Sequence, residues 1–349
     1  MNCCQETKTD LSPTAGSGGI TRRGLLSGSA GLAGAAVAGR AATGQAQESI
    51  KLAFCSQLLC VVPYEVTRAQ RFFEEEGLNV ELVYTRGGNA AMQALVGGAV
   101  DYAATSFDVA VQAFANGAPI RRFATTGRLP LFALAVGPGQ ADEIGSVADL
   151  EGKTVGVSGL GNADHTILLF LLTQANVEAS EVEFATLGPN LFDALRVGHV
   201  DAGMVQEPAL SLIVEQGGKV LFNAMNIEDA EQHLGGAYEF MGVAYRAPER
   251  ERRLEEMRAL ARGLQAGLVF QREAPIETIR NALPPELLVG GDGDRFDEII
   301  ARYRESLYPE TVAIDVSAAE RVVNALRMSG VLEQDVDLGT LLDTEVVPS

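Results

Sequence analysis

The sequence predicts an α/β protein of two similar lobes. Short apolar runs alternate with helical segments from residue 50 onward, the same order of elements recurs about 100 residues later, and two long apolar runs connect the repeated units. Alternating strands and helices favour parallel sheets that are covered by helices on both faces. With 349 residues, of which 47% are hydrophobic, the chain can form one large domain or two of ordinary size.

Residues 1–46 are predicted to be a twin-arginine signal peptide rather than part of the fold. Adjacent Arg22 and Arg23 precede a weakly apolar run of small residues, and Gly44 and Ala46 supply the small side chains of a cleavage site. The apolar run is shorter than the roughly 20 residues of a membrane span, and an uncleaved N-terminal anchor is the alternative. The expected location is therefore periplasmic or extracytoplasmic, reached by the twin-arginine pathway.

The net charge and the few cysteines and histidines exclude several classes of function. A net charge of −19 argues against nucleic acid or an anionic membrane as partner. Cys55 and Cys60 lie near the end of the first predicted strand, where they form either a disulfide loop or two partly buried thiols. His165, His199 and His233 have no zinc-type spacing to these cysteines, so no metal site is expected.

The sequences of the two lobes are related by an internal duplication. The segment MQALVGGAVDYAATS at residues 92–106 aligns with FDALRVGHVDAGMVQ at residues 192–206, and both contain a Gly-x-Val-Asp motif. Asp101 and Asp201 occupy the same place in the two copies. Because they repeat, a structural role in a turn is favoured over a catalytic pair.

Apolar runs and helix-ending residues define the elements of each unit. In the first unit, Pro63 is expected to open a helix and Gly77 to end it. The predicted elements of this unit are the strand Ile50–Phe54, the helix Pro63–Glu76, the strand Val80–Tyr84, the helix Asn89–Val96, the strand Tyr102–Ala104, the helix Phe107–Ala115 and the strand Ile120–Thr126. Those of the second are the strand Thr154–Val157, the helix Ala163–Gln174, the strand Val182–Leu187, the helix Leu191–Val197, the strand Ala202–Val205 and the helix Ala209–Gln216.

Two extended apolar runs, residues 131–139 and 238–248, are predicted to carry the chain between the lobes. The remaining C-terminal sequence is strongly helical and has no strands, so it is expected to pack on the first lobe. The predicted domains are lobe 1 at residues 47–135 and 243–349, and lobe 2 at residues 136–242. Two crossings between similar lobes form a hinge beside a cleft.

Polar residues at the predicted carboxyl ends of the strands are candidates for lining this cleft. In lobe 1 they are Ser56, Gln57, Gly87, Gly88, Asn89, Thr105 and Ser106, and in lobe 2 Ser158, Gly159, Asn162, His165, Thr166, Gln206 and Glu207. Neutral donors together with helix N-termini suit a small anionic or zwitterionic head group. The loop SGLGNADHT, which begins at Ser158, is predicted to hold the polar end of such a ligand.

Structural roles compete with ligand binding at several of these positions. Ser158 and Thr166 are also good helix caps. Glu207 is placed either to pair with a ligand amino group or to cap the helix that follows it. Arg86 is the one guanidinium in a predicted cleft loop, where it pairs with a ligand anion or is simply solvated.

No catalytic or cofactor motif accompanies these residues. The glycine loop lacks the Gly-Lys-Ser/Thr of a phosphate loop, and Asp164 stands where a dinucleotide fingerprint needs its third glycine. His165 has no Ser/His/Asp or Cys/His partner pattern, and His199 and His233 are expected to be solvated. The residues alone therefore indicate no catalytic machinery, and no cofactor is expected.

The chain resembles the periplasmic substrate-binding proteins of bacterial ABC importers, specifically the nitrate/sulfonate/taurine and thiamine-pyrimidine-precursor (NMT1-like) group. The motifs that carry the resemblance are FFEEEGLNVELVYTRGGNAAMQALVGGAVDYAATS, DLEGKTVGVSGLGN, ALRVGHVDAGMVQEPAL and VVNALRMSGVLEQDVDLGTLLD, and the similarity extends over about residues 50–345. The resemblance implies a periplasmic-binding-protein-like type II fold, a Venus-flytrap with two crossover strands. It also implies a monomer that delivers a small-molecule ligand to an ABC permease and its ATPase.

The resemblance also implies a set of ligand contacts. They map onto Ser56, Gln57, Gly88, Asn89, Thr105, Ser106, Ser158, Asn162, His165 and Glu207. Some members stack aromatic side chains on a ring, and since this chain has no Trp, Tyr64, Tyr102 or Phe107 would have to supply that face. The polar lining favours a sulfonate-, taurine- or nitrate-like solute. A thiamine pyrimidine precursor or an aromatic acid is the alternative ligand, and a sensory input module or a pyrimidine-precursor synthase-like enzyme is the alternative class.

Overall fold

The computed structural model describes residues 49–288 and 293–347. The predicted signal peptide at residues 1–46 lies outside these residues. The strands are β1 Ile50–Cys55, β2 Val80–Thr85, β3 Tyr102–Ser106, β4 Ile120–Thr125, β5 Ala133–Val136, β6 Thr154–Val157, β7 Glu183–Thr186, β8 Ala202–Val205, β9 Lys219–Asn223 and β10 Met241–Arg246. The helices are α1 Leu58–Ala69, α2 Phe72–Glu75, α3 Gly88–Val96, α4 Phe107–Ala115, α5 Ala163–Gln174, α6 Leu191–Arg196, α7 Ala209–Glu215, α8 Ile227–Leu234, α9 Arg250–Glu273, α10 Ile276–Asn281, α11 Gly293–Leu307, α12 Val316–Met328 and α13 Leu338–Leu341.

The strands form two five-stranded sheets with the same topology. The first sheet has the order β2-β1-β3-β10-β4 and the second has the order β7-β6-β8-β5-β9. In each sheet the fourth strand is antiparallel to both of its neighbours. That strand adjoins a crossing, because β5 follows the chain's passage into the second lobe and β10 follows its return. The prediction of two α/β lobes in a type II arrangement is confirmed.

Sheet membership locates the two crossings. The chain leaves the first sheet after β4 and joins the second at β5, so residues 126–132 form the first crossing. Residues 235–240 form the second, between α8 and β10. Both therefore lie a few residues before the boundaries expected at 135/136 and 242/243.

The central strands are buried on both faces, as parallel sheets covered by helices require. All residues of β3, β5 and β8 are buried, and so are five of the six residues in β10. These runs read as continuous apolar or small-residue stretches rather than alternating ones. Polar residues lie at or just beyond the carboxyl ends of β3 and β8.

The duplicated aspartates have the same structural role in both lobes. Asp101 accepts a hydrogen bond from the backbone N–H of Lys51 at 2.9 Å, and Asp201 accepts one from Thr154 at 2.8 Å. Each carboxylate thereby fixes the start of a central strand to the turn that leads into its neighbour. The predicted structural role is confirmed.

The prediction of one helix from Pro63 to Glu76 is wrong, because the helix begins earlier and the segment forms two helices. Helix α1 begins at Leu58, contains Pro63, and is separated from α2 by Arg71, whose φ of 66° is left-handed. Proline has no N–H to donate to the carbonyl of Leu59, four residues earlier. The hydroxyl of Tyr308 donates to that carbonyl at 2.9 Å instead. A distant part of the chain therefore makes an interior proline tolerable.

Strand β9 and helix α8 were not predicted. His233, which was expected to be solvated, is half-buried. The helix is acidic overall, but its sparse apolar residues still form a face towards the sheet. His233 lies on α8, where its ring packs edge-on against Phe222 of β9 with 5.3 Å between centroids. His199 is exposed in its turn, as predicted.

The C-terminal helices cover more than the first lobe. Helix α9 packs on α1 and α2 as expected, whereas α12 packs on both α4 of the first lobe and α5 of the second. The buried face of α12 is broad and made of small and branched side chains, which lets one helix contact two neighbours. The expectation that these helices pack only on the first lobe is therefore wrong.

Candidate functional site

A cavity lies where the two lobes meet beside the crossings, and we call it cavity A. It is lined by Cys55, Gln57, Cys60, Arg86, Gly87, Gly88, Thr105, Ser106 and Val109 of the first lobe, by Ser158, Asn162 and Ala163 of the second, and by Phe132, Phe240 and Met241. The volume open to water centres is about 40 Å³. A water molecule needs roughly 10–15 Å³ of such volume, so cavity A holds about three waters or a head group of that size.

Arg86 is the only charged residue among those lining cavity A. Its side chain makes no hydrogen bond or ion pair with any residue that the structure describes. No Asp or Glu lines the cavity, although the chain as a whole carries a net charge of −19. The one charge on the lining is therefore positive, and because Arg86 is exposed, solvent weakens its attraction for an anion.

Helix N-termini add to this positive character. The N-cap residues of helices α1, α3 and α4 are Gln57, Gly87 and Ser106, which all line cavity A, and none of them makes a side-chain capping bond. The first N–H groups of an uncapped helix have no partner within the helix, and the helix dipole favours negative charge beside them. In the first lobe the sequence reaches each helix directly from a strand end, which brings the three termini together.

Several hydrogen-bond donors of the glycine-rich loop in the second lobe are bonded to side chains of the same chain. The backbone N–H and the hydroxyl of Ser158 both donate to the carboxylate of Asp164, the latter at 2.7 Å. The N–H of Gly161 donates to Nδ1 of His165 at 3.2 Å. Burial raises the pKa of Asp164, while the bonds from Ser158 act in the opposite direction. The loop expected to hold a ligand's polar end thus holds a carboxylate of the same chain.

Several predicted contact residues lie outside the cavities' linings. His165 faces Phe184, edge to ring at 5.0 Å between centroids, and burial lowers the pKa of its imidazole. The hydroxyl of Thr166 donates to the carbonyl of Ala163 at 2.9 Å, within its own helix. Neither side chain is among those that line the interlobe cavities.

The aromatic residues expected to supply a stacking face are in the core. Tyr64 is fully buried, and its hydroxyl is 2.7 Å from that of Thr126. Tyr102 and Phe107 are also fully buried. The rings that do line cavity A are those of the two phenylalanines on the crossings, which the sequence did not single out.

Asn89 joins the lobes instead of lining either cavity. Its side-chain amide donates to the side-chain oxygen of Asn162 at 2.8 Å. A second interlobe bond runs from Gln112 Nε2 to the carbonyl of Gly161 at 3.1 Å. These contacts hold the cleft closed around cavity A.

A second and larger cavity adjoins the first, and we call it cavity B. It is lined by Ser56, Gln57, Leu58, Glu286 and Leu287 on one side, by Gly188, Pro189, Leu191, Phe192, Met204, Val205, Gln206, Glu207, Pro208 and Ala209 on the other, and by Phe132 and Ser158. Its volume open to water centres is about 330 Å³. Gln57, Phe132 and Ser158 line both cavities, and the side chains of Gln57 and Gln206 hydrogen-bond across the cleft.

Glu207 acts as the cap that was one of its two predicted roles. Its carboxylate accepts hydrogen bonds from the N–H and the hydroxyl of Ser211, both at 3.1 Å, in the first turn of α7. Arg302 of α11 lies 3.8 Å away, across the lobes. Glu207 is buried and still lines cavity B.

A buried ionic network behind cavity A was missed at the sequence level. Arg122 is fully buried on β4 and donates to Glu239 at 2.7 Å, to the carbonyl of Phe240 at 2.9 Å and to that of Thr105 at 3.2 Å. It therefore ties the end of β3 to the second crossing. Two adjacent arginines, Arg121 and Arg122, inside a predicted strand were the one signal that the sequence offered.

Cys55 and Cys60 form a disulfide, with 6.3 Å between their Cα atoms. This resolves the two alternatives that the sequence left open. The bridge encloses Ser56 and Gln57, which line the cavities, and both cysteines themselves line cavity A. It thus constrains the connection from β1 to α1 at the site.

Among residues 49–288 and 293–347, no group of His, Cys, Asp and Glu side chains is arranged to hold a metal ion. Within the same part of the chain, no helix is both long enough and apolar enough to span a membrane.

The family model NMT1/THI5 like matches residues 61–274. This match includes most of the first lobe and all of the second sheet. The chain belongs to the NMT1/THI5-like family. No curated protein matches the chain.

Solved structures share the fold of this NMT1/THI5-like protein at low sequence identity. A protein of Bordetella bronchiseptica RB50 has a TM-score of 0.77 and 23% identity, over 85% of this chain and 95% of its own. The periplasmic aliphatic sulphonate binding protein of Escherichia coli has a TM-score of 0.61 and 19% identity, over 84% and 91%. The periplasmic nitrate-binding protein of Synechocystis PCC 6803 has a TM-score of 0.67 and 13% identity, over 86% and 87%. These likenesses show the periplasmic-binding-protein fold.

Proposed function

We propose that this NMT1/THI5-like protein is the extracytoplasmic solute-binding component of an ABC importer. Its solute would be a small anionic or zwitterionic organic molecule, sulfonate-, taurine- or nitrate-like, held between the lobes. The family match and the fold shared with sulphonate- and nitrate-binding proteins support a binding role rather than catalysis. An ABC permease and its ATPase are the proposed partners, and export by the twin-arginine pathway is the proposed route.

The character of cavity A carries the proposal. A single unpaired guanidinium and three uncapped helix N-termini line it, and no carboxylate does. Charge-assisted hydrogen bonds to an anion are among the stronger polar contacts in proteins. The small volume suits a compact head group such as a sulfonate or nitrate.

An aminopyrimidine or aromatic acid fits the same cavity less well. Tyr64, Tyr102 and Phe107, the residues expected to stack on such a ring, are buried in the core, so only Phe132 and Phe240 offer an aromatic face in cavity A. Glu207, the candidate partner for an amino group on the ring, lines cavity B and caps a helix.

Closure would couple binding to transport. The interlobe bonds of Asn89 and Gln57 define a closed form, and a ligand shifts the protein towards that form only by binding it better than the open one. Polar groups from both lobes line cavity A, so the closed form offers contacts that neither lobe makes alone.

A thermal-shift panel on the purified full chain, with and without prior partial unfolding to release bound solute, tests the proposal. The panel contains taurine, alkanesulfonates, nitrate, an aminopyrimidine and aromatic carboxylates. A ligand at about 100 times its dissociation constant stabilises the folded state by roughly 2.7 kcal/mol. A shift with a sulfonate or nitrate supports the proposal, whereas a shift only with the aminopyrimidine or the aromatic acids contradicts the proposed solute.

A further inference from the structure

A buried carboxyl directly behind cavity A lacks a full set of partners. Asp108 lies in the first turn of α4, between Ser106 and Val109, which both line the cavity. It is fully buried and does not line the cavity itself. Its Oδ1 accepts a hydrogen bond from Tyr238 at 2.9 Å, whereas its buried Oδ2 has no partner among the described residues. An ionised carboxylate in this position is therefore incompletely compensated.

Asp108 also connects the three parts of the protein that meet at the cavity. Tyr238 belongs to the second crossing, which also supplies Phe240 to the cavity lining. The hydroxyl of Thr166, on α5 of the second lobe, lies 3.3 Å from Oδ1 of Asp108. Ala163, in the first turn of the same helix, lines the cavity. The protonation of Asp108 is therefore coupled by position to the walls of cavity A on both lobes.

An anion in cavity A and the carboxylate of Asp108 would occupy the same helix end. Ser106 is the N-cap residue of α4, and the helix dipole favours negative charge beside it. Asp108, in the first turn, already supplies one negative charge there. A second negative charge nearby disfavours the ionised carboxylate and raises its pKa. A proton on Asp108 removes the repulsion, and a proton, unlike a ligand group, needs no open volume.

Burial has already moved Asp108 most of the way towards protonation near neutral pH. It raises the pKa of this carboxyl to about 6, against the opposing effects of the bonds from Tyr238 and Thr166 and of the charge of Arg122. A further rise of about one unit would place half-protonation near pH 7.

The other charged groups around α4 are engaged elsewhere. Arg122 of β4 donates to Glu239 of the second crossing at 2.7 Å, so its charge is largely paired. Helix α3 and strand β3, which pack on α4, contain no Asp, Glu, Lys, Arg or His. On α12, Glu320 is exposed. The other titratable groups on β3, β4, β10 and α12 are bonded to partners other than Asp108; they are Tyr102, Arg121, Tyr245, Arg246, Arg321 and Arg327.

Three rival proton acceptors near cavity A are better compensated than Asp108. Asp164 accepts bonds from both the N–H and the hydroxyl of Ser158, and Glu239 has its ion pair. The Nδ1 of His165 accepts the N–H of Gly161, and burial lowers the pKa of this imidazole. Asp108 is thus the group on which an added negative charge would act most strongly.

We propose that the solute anion binds together with a proton, which the carboxylate of Asp108 takes up as the anion enters cavity A. This inference rests on the proposed function and adds a proton as a second ligand of the same site. The buffer acid supplies the proton, the carboxylate becomes a neutral carboxylic acid, and no other bond changes. Because the pKa of Asp108 is higher with the anion bound, affinity is greatest at acidic pH and falls as pH rises through that higher pKa. By reciprocity, a rise in pH favours release of the anion.

The test is calorimetric titration of the full chain with nitrate and with ethanesulfonate, from about pH 5 to about pH 8. Neither anion titrates in this range. At each pH the titration is repeated in buffers of different ionisation enthalpy, and the slope of binding heat against that enthalpy gives the protons taken up for each anion bound. A rise of about one unit in the pKa of Asp108 predicts an uptake of about half a proton between about pH 6 and about pH 7, and an affinity about 10-fold lower above this window than below it.

Four variants assign the proton to Asp108. Asp108→Asn should bind the anion without proton uptake and with an affinity that no longer changes over the window. Tyr238→Phe removes a hydrogen bond that lowers the pKa of Asp108, so the uptake should move to higher pH, which a purely structural role would not cause. Asp164→Asn and His165→Gln are the controls, in which uptake should persist. Uptake that survives in Asp108→Asn, or that is lost in either control, overturns the inference.

The outcomes for the wild-type protein distinguish this inference from the proposed function. Binding with no proton uptake and an affinity that does not change with pH overturns the inference and leaves anion binding intact. Binding of neither anion overturns the sulfonate- or nitrate-type solute of the proposed function, and the inference with it.

Discussion

A buried carboxyl at the junction of the lobes is expected to make stability depend on pH. Asp108 lies in the first turn of α4, fully buried, and its Oδ1 accepts hydrogen bonds from Tyr238 at 2.9 Å and Thr166 at 3.3 Å. The Thr166 hydroxyl shares its one proton between this oxygen and the nearer carbonyl of Ala163, so its bond to Asp108 is the weaker one. The Oδ2 of Asp108 has no partner among the described residues. Burial raises the pKa of Asp108 from 3.8 to about 6, against the opposing effect of these hydrogen bonds and of Arg122.

The direction and the size of the pH dependence of stability follow from that pKa shift. Between pH 3.8 and about 6 the folded state binds more protons than the unfolded state, so the free energy of unfolding falls as pH rises through this window. A shift of about two pH units corresponds to about 3 kcal/mol, at about 1.4 kcal/mol per unit. The stabilisation is fully present below the ordinary pKa and is lost above the raised one.

The assay is urea unfolding of wild type and Asp108→Asn across this pH range. Asparagine does not titrate, and contributions from other groups cancel in the difference between the two proteins. The stability of wild type relative to the variant should fall by about 3 kcal/mol from the acidic to the neutral end. Thr166→Val removes a hydrogen bond that lowers the pKa of Asp108, so the pKa of Asp108 should rise further. The pH range over which stability falls should then extend to higher pH. A difference between wild type and Asp108→Asn that does not change with pH would refute the reasoning.

Two further predictions concern α1 and the interlobe contact. Tyr308→Phe leaves the carbonyl of Leu59 without its donor and should lower the free energy of unfolding in urea by about 1–3 kcal/mol. In a Pro63→Ala background the helix supplies an N–H to that carbonyl, so Tyr308→Phe should cost much less. Equal costs in both backgrounds would contradict this explanation. Asn89→Ala removes one interlobe hydrogen bond worth about 1 kcal/mol, so the ratio of open to closed form should rise about fivefold in the unliganded protein. The measurement is the distance between fluorescent labels on the two lobes, which should lengthen. Asn162→Asp keeps the acceptor and is the control, and an unchanged distance in Asn89→Ala would mean that this bond does not hold the lobes together.

The parts of the fold that depend on local sequence were predictable. The elements Phe107–Ala115, Thr154–Val157, Ala163–Gln174 and Ala202–Val205 were predicted with the bounds that the structure has. Each is a mainly apolar segment bounded by a turn, a strand end or a polar residue. The duplication added the topology, because one repeated order of elements implied the same sheet twice.

The errors arose where distant residues decide the local structure. Pro63 lies inside a helix because Tyr308, far along the chain, replaces the missing donor. Helix α8 is so polar that its sequence does not distinguish it from a loop, and its packing against β9 stabilises it.

Part of the predicted site lines the interlobe cavities, whereas the hydrogen-bond partners of its groups were not predicted. Arg86, Gly88, Thr105 and Ser106 line cavity A, at or just beyond the carboxyl ends of β2 and β3. The sequence did not reveal that Asp164 would occupy the glycine-rich loop, because a side chain's choice of partner depends on rotamers and on burial.

Calorimetric titration of the full chain with the anion that gives the largest thermal shift tests the central claim most directly. Arg86→Gln is compared with Arg196→Gln, which removes the same charge from an exposed ion pair with Asp193, outside both cavities. Binding in cavity A predicts a loss of affinity of about 10- to 100-fold for Arg86→Gln, the value of a charge-assisted hydrogen bond, and less than about threefold for Arg196→Gln. Equal effects of the two variants, or full affinity in Arg86→Gln, would contradict an anion site in cavity A.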